Sequence, residues 1–212
     1  VDEPLLALDT FERAATNGWG AAENGGAWTP AGSPSRFAVA NGVGTMTLAG
    51  GGSGLGAYLN EVALTDVDLA ARFTTPVRAD GGGAFASLAS RRVGTAEYRA
   101  KVKIAANGGI TLYLTRVDGA ETNLASVNVP GTVAAGQGVN VGFAATGTGP
   151  TTLRAKVWPD GATEPVDWQA TATDATPALQ APGAIGFVTY LSGSATTAPF
   201  VVTLDDLVAK LP

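Results

Sequence analysis

Apolar and polar positions alternate with a period of two along most of this chain. From Tyr98 to Ile104, the residues Tyr98, Ala100, Val102 and Ile104 fall on one side and Arg99, Lys101 and Lys103 on the other, the pattern of a strand buried on one face. Asn107-Gly108-Gly109 interrupts the run, and Ile110–Arg116 resumes it with Tyr113 on the polar side. The spacing predicts a β-hairpin, because Asn and Gly both tolerate the positive φ of tight hairpin turns. Leu153–Trp158 repeats the theme, with Arg154, Lys156 and Trp158 outward. These runs read as neighbours in one sheet, apolar inside and basic and aromatic outside.

The same period predicts strands at Leu5–Asp9, Phe37–Ala40, Val43–Leu48, Leu55–Leu59, Val67–Thr74, Ala84–Arg92, Asn123–Val129, Val139–Ala145, Ala184–Leu191 and Pro199–Lys210. Asn41-Gly42 marks a second hairpin. The segment from Asn17 to Thr29 is punctuated by Gly and reads as a loop over Trp19 and Trp28. Thr163–Asp174 is a polar excursion carrying Trp168, with a turn near Pro165–Gln169. Ala49–Gly54 is Gly-rich but lacks the Lys-Ser/Thr pair and the helix of a phosphate loop, so it reads as a flexible loop. Roughly a dozen strands without a helix predict an all-β, two-sheet antiparallel β-sandwich with jelly-roll topology. At 212 residues, with no linker-like tract, residues 1–212 are expected to form a single domain.

Composition narrows the chemistry. The chain has no Cys and no His, which removes thiol nucleophiles, disulfides, imidazole bases and zinc sites built on nitrogen or sulfur. A Ser hydrolase lacks its base. The net charge of −5 argues against nucleic acid, and no run approaches the ~18 apolar residues of a membrane span. Residues 91–156 nevertheless hold eight Lys and Arg against three acids. That surplus reads either as solvated strand faces that discourage edge pairing or as a surface for anionic or hydroxyl-rich ligands.

Several stretches carry a resemblance: Asp9-Thr10-Phe11-x-Arg13, Gly18-Trp19-Gly20, Gly26-x-Trp28, Arg91–Lys101, Thr148–Trp158, and Ala181-Pro182-Gly183 through Asp205-Asp206-Leu207. Together, over essentially the whole chain, they resemble a module of secreted actinobacterial proteins, found beside glycoside-degrading enzymes and on cell-surface proteins. Related stretches occur in actinobacteriophage minor tail proteins. The module is similar in kind to concanavalin A-like lectin/glucanase and laminin-G-like jelly rolls. The resemblance implies a secreted or extracellular, non-catalytic domain of a larger protein, with polysaccharide or a surface glycan as partner. Glycosidases of this fold carry Glu-x-Asp-x-x-Glu on a strand; here the nearest approach is Glu164-Pro165-Val166-Asp167, in a Pro-containing turn.

Two constellations are candidates. Arg99, Lys101, Lys103, Tyr113, Arg154, Lys156 and Trp158 offer rings for the C–H faces of sugars and donors for their hydroxyls; the alternative is a solvated face in which the rings pack beneath cationic stems. Asp9, Asp205 and Asp206 lie on the first and last strands, where oxygen ligands could hold a structural Ca²⁺; the alternative is ordinary surface acids. The two functions left open are a carbohydrate-binding module and a structural or adhesive domain of a surface protein or phage tail.

Overall fold

A computed structural model describes residues 5–212. In chain order the strands are β1 (Leu5–Asp9), β2 (Ala15–Thr16), β3 (Trp28–Ala31), β4 (Phe37–Ala40), β5 (Val43–Leu48), β6 (Gly54–Leu64), β7 (Val67–Thr74) and β8 (Ala84–Val93). They continue with β9 (Ala96–Ile104), β10 (Gly109–Asp118), β11 (Ala120–Thr132), β12 (Gly138–Thr146), β13 (Thr151–Pro159), β14 (Ala170–Asp174), β15 (Gly183–Leu191) and β16 (Phe200–Lys210). One sheet runs β14-β13-β12-β7-β16-β5-β4-β2, with β1 also paired to β16; the other runs β11-β10-β9-β8-β15-β6-β3. Every pairing is antiparallel.

The two sheets face each other across one continuous apolar core. Phe73, Val141 and Leu204 of the nine-stranded sheet meet Ala86, Leu88 and Phe187 of the seven-stranded one, and the rings of Phe73 and Phe187 stand 6.5 Å apart. These are the inward phase of the sequence alternation, each large side chain contributing ~1.5–3 kcal/mol when fully buried. Four aromatic rings form one part of this core. Phe11, Trp19, Trp28 and Phe37 pack with ring centroids 5.0–6.2 Å apart, so the two Trp of the Gly-punctuated segment are core residues.

The structure corrects the sequence reading in four places. β13 does not join the β9–β10 hairpin; it lies between β12 and β14 in the opposite sheet. β2, β3 and β14 are additional short strands, the last within the stretch read as a polar excursion. β11 is longer than expected because its ends, exposed and polar, still ladder against β10. Finally, Ala49–Gly54 is a packed turn. Gly52 N–H donates to Leu191 O at 2.9 Å, and a Cβ on Gly51 would stand 2.5 Å from Ala195 O, so the glycines serve close backbone approach. The two Asn-Gly sites also differ. Asn41 and Gly42 both have positive φ, 54° and 72°, as a two-residue type I′ turn requires. In the longer β9–β10 loop only Gly108 is left-handed, at 85°, and Asn107 Oδ1 accepts from Gly109 N–H at 2.9 Å.

Asp80 ties the β7–β8 connection to the β15–β16 connection. Its carboxylate accepts from Thr196 N–H at 2.7 Å and from the N–H and hydroxyl of Thr197, both at 3.0 Å. The Thr196 hydroxyl bond, then the two backbone N–H bonds, hold the carboxyl well below the usual carboxylate range. A depressed folded-state pKa contributes stability that is complete above the unfolded value of about 3.9 and is lost as pH falls toward the folded one. The wild type should therefore melt above Asp80→Asn at neutral pH, and the gap should narrow as the pH drops below about 5. Thermal melts of both proteins across that range check this; a constant gap would assign the difference to something other than ionisation.

Candidate functional site

The register across the seven-stranded sheet fixes which side chains share its outer face. Arg99, Lys101 and Lys103 on β9 stand opposite Thr115, Tyr113 and Thr111 on β10, and opposite Ala89, Ser87 and Phe85 on β8. Next come Gly186, Val188 and Tyr190 on β15, then Tyr58, Gly56 and Gly54 on β6. Large side chains thus flank a strip of small ones. The result is a groove of ≈ 390 Å³ over Ser87 and Val188, with Phe85, Tyr190, Arg99, Lys101 and Glu121 among its walls.

The rings are held by cations and by each other. Lys101 Nζ lies 5.4 Å from the Tyr113 centroid and 5.6 Å from that of Phe85, and Lys103 Nζ lies 5.8 Å from Phe85. Phe85 and Tyr190 are 5.9 Å apart, and Tyr190 is 42% exposed. At the other end, the Arg92 guanidinium stacks 3.6 Å over Tyr58, while Arg92 and Arg99 hold the buried Glu97 carboxylate at 3.0 and 2.5 Å. Burial, reinforced by the Glu97 charge, pushes the Tyr58 hydroxyl up to about 12.

Glu121 reaches in from β11, 2.8 Å from Lys101 Nζ and 2.8 Å from the Thr115 hydroxyl. Burial acts to raise its pKa, but those bonds and the charges of Lys101 and Arg99 outweigh it, so the carboxyl stays below its ordinary value and ionised at neutral pH. The groove is therefore polar and aromatic, with cations on β9 and an ionised acid facing them.

Four of the seven predicted ligand-binding residues, Arg99, Lys101, Lys103 and Tyr113, belong to this face. The other three do not. Arg154, Lys156 and Trp158 point outward from β13, on the opposite side of the sandwich. Alternation shows that a side chain is outward but not from which sheet, and both outer faces carry cations. Sequence reasoning missed Phe85, Tyr190 and Glu121. For Phe85 the signal was present, since it falls out of phase with Ala84, Ala86 and Leu88.

The acidic candidates are not brought together. Terminal strands β1 and β16 do lie side by side, with Asp9 opposite Leu207, but Asp9 is fully buried. Its two oxygens accept from Arg13 at 2.6 and 2.8 Å, from Trp28 Nε1–H at 2.6 Å and from Phe11 N–H at 2.9 Å. A cation there would have to displace Arg13. Asp205 and Asp206 sit at a bulge in β16, where Asp206 takes a φ of 51° and donates its N–H to Asp205 Oδ1 at 2.8 Å. Among the described residues no three acids gather as a metal-ligand group.

No protein-family model matches the sequence, and no curated protein matches it. Solved structures do. The carbohydrate-binding module CBM66 from Bacillus subtilis superposes with a TM-score of 0.61 at 14% identity, over 86% of this chain and 94% of that one. The Bacillus licheniformis β-glucanase gives a TM-score of 0.61 at 12% identity, over 97% of each chain. The CBM2 module of the evolved Dit protein of Lactobacillus casei BL23 phage J-1 gives 0.57 at 10% identity, over 98% of this chain and 95% of that one. At these identities the likeness is one of fold: this chain is an antiparallel β-sandwich of the concanavalin A-like jelly-roll type.

Proposed function

We propose that this domain binds polysaccharide without cleaving it, laying a glycan chain along the groove on the outer face of the seven-stranded sheet. The observation that carries the reading is the groove itself. Phe85 and Tyr190 offer ring faces to sugar C–H surfaces, and Arg99, Lys101 and Ser87 offer donors to hydroxyls, over a floor of small residues on which a chain can lie. Aromatic area with a few oriented polar groups is the chemistry such ligands require. The names of two structural relatives, a carbohydrate-binding module and a phage CBM2 module, support the same direction.

The β-glucanase shares the sandwich, so turnover is weighed on the groove's own carboxyls. Two-carboxylate glycoside cleavage needs one acid kept protonated by a raised pKa. Glu121 is held the other way by Lys101 and Thr115. Glu97 is buried beneath Arg92 and Arg99. The fold of the phage module also keeps open a structural or adhesive role in a surface protein or virion.

Retention on insoluble polysaccharides separates these readings. Tyr190→Ala should lose retention about tenfold or more while its melting temperature changes little, because an exposed ring contributes under about 1 kcal/mol to folding. Polysaccharide incubated with the wild type should yield no new chain ends. A wild-type protein retained by no polysaccharide tested would leave the structural or adhesive role in front.

A further inference from the structure

The outer face of the nine-stranded sheet carries a separate aromatic surface. Trp158 points outward from β13, and Trp168 reaches the same face from the connection between β13 and β14. That connection is fastened down. Gln169 Oε1 accepts from Val157 N–H at 2.8 Å, Gln169 N–H donates to Ala155 O at 3.0 Å, and Lys156 Nζ donates to Pro165 O at 3.2 Å. Lys156 Nζ lies between the two indoles, 5.9 Å from the Trp158 centroid and 5.0 Å from that of Trp168. The register sets Lys156 beside Gly142 and Gly142 beside Ala70; the Lys156 stem and the edge of the Trp168 ring lie over Gly142, where a Cβ would stand 3.2 and 3.7 Å from them. Shallow depressions of ≈ 160 and ≈ 170 Å³ flank Trp158 on its two sides.

We infer that this face is a second sugar-binding site, that its ligand is an uncharged pyranose polymer, and that the domain is therefore bivalent. The inference rests on the polysaccharide reading only in taking sugar to be what the domain meets; its site and its ligand class are its own. Each depression is smaller than the ~300 Å³ of an enclosing small-molecule pocket, which suits single rings laid against an indole. Two of the cations on this face are paired with acids: Lys156 lies 2.7 Å from Glu164, and Arg72 lies 2.6 Å from Asp160. Ring stacking, with hydroxyl contacts to Asn140 and the paired charges, is the chemistry that remains.

The protein supplies its own reporter. Of its four Trp, Trp19 and Trp28 are buried, the other two are on this face, and the groove opposite contains none. Acrylamide quenching of Trp fluorescence is measured with cello-, xylo-, manno- and malto-hexaose as probes. At least one hexaose should lower the quenching constant about twofold or more, as expected when a ring covers an indole. That protection should persist in Tyr190→Ala, shrink in Trp168→Phe, and vanish in Trp168→Ala. Melting curves establish that each variant is folded. Protection by none of the four probes overturns the second site and leaves the groove to its own retention assay. Protection that disappears in Tyr190→Ala also overturns it, because the signal would then originate in the groove.

Discussion

Arg91→Ala is expected to cost about 4 kcal/mol or more of folding stability, well beyond the usual range for a single substitution. Arg91 is fully buried and stitches four separate segments together. Its guanidinium donates to Thr65 O at 2.7 Å, Gly147 O at 2.5 Å, Leu179 O at 3.2 Å and the Thr151 hydroxyl at 2.5 Å. Truncation orphans those acceptors at ~1 kcal/mol or more apiece and leaves a cavity besides. Burial pulls the guanidinium pKa down, but from so high a starting value that the charge persists. Arg91→Lys should recover little, since one ammonium cannot span a planar fork of donors. The backbone adds an internal control. Arg91 has a φ of 48° at a bulge in β8, so Arg91→Gly loses the same bonds but sheds the left-handed strain. It should be milder than Arg91→Ala by ~1 kcal/mol. Denaturant titrations of the three variants give these values, and an Arg91→Ala loss below about 1.5 kcal/mol would contradict the account.

The second large effect is expected at Asp9. Asp9→Ala removes the partner of a bidentate Arg13 pair and the acceptor of Trp28 Nε1–H. A broken buried pair costs ~3–5 kcal/mol, because the surviving partner is left without its counter-charge. The aromatic cluster of Phe11, Trp19 and Trp28 is built over this carboxylate, so its packing should loosen along with the pair. The double variant Asp9→Ala/Arg13→Ala should be clearly more stable than the sum of the two single losses predicts, since neither partner is then orphaned. Simple additivity in denaturant midpoints would show that the pair is not coupled.

Much of this architecture was legible as alternation. The inward phases of β7, β9, β10, β12 and β13 came directly from the positions of Val, Leu, Phe and Ala, because a period of two has one buried solution when a core lies on one side. What alternation leaves out is partnership. Lys101 and Lys156 have the same local pattern and lie on opposite faces of the molecule. Among the described residues β14 pairs only with β13 and β3 only with β6, so they are edge strands whose short, polar or Pro-containing sequences carry little periodic signal. Asp9 shows the same gap in chemical form. Its acidic identity suggested an oxygen ligand, whereas its role depends on a guanidinium four residues on and an indole nineteen residues on. Trp168 was visible only as a ring in a polar stretch; its place beside Trp158 follows from the Gln169 and Lys156 anchors, which no local pattern encodes.

The order of strands in the sheets bears on how the chain is made. β15 lies between β8 and β6, and β16 lies between β7 and β5, so the last two of these sixteen strands to be synthesised are interior members, one in each sheet. Until they arrive, the seven-stranded sheet is in two pieces and the nine-stranded one in three, since β1 pairs with β16, and the emerging chain presents open, apolar-faced edges on both sides of each gap. Strand pairings that wait on such distant partners are slow and exposed to aggregation. The sandwich can therefore close only after synthesis has passed Lys210, and the nascent chain has reason to be shielded until then.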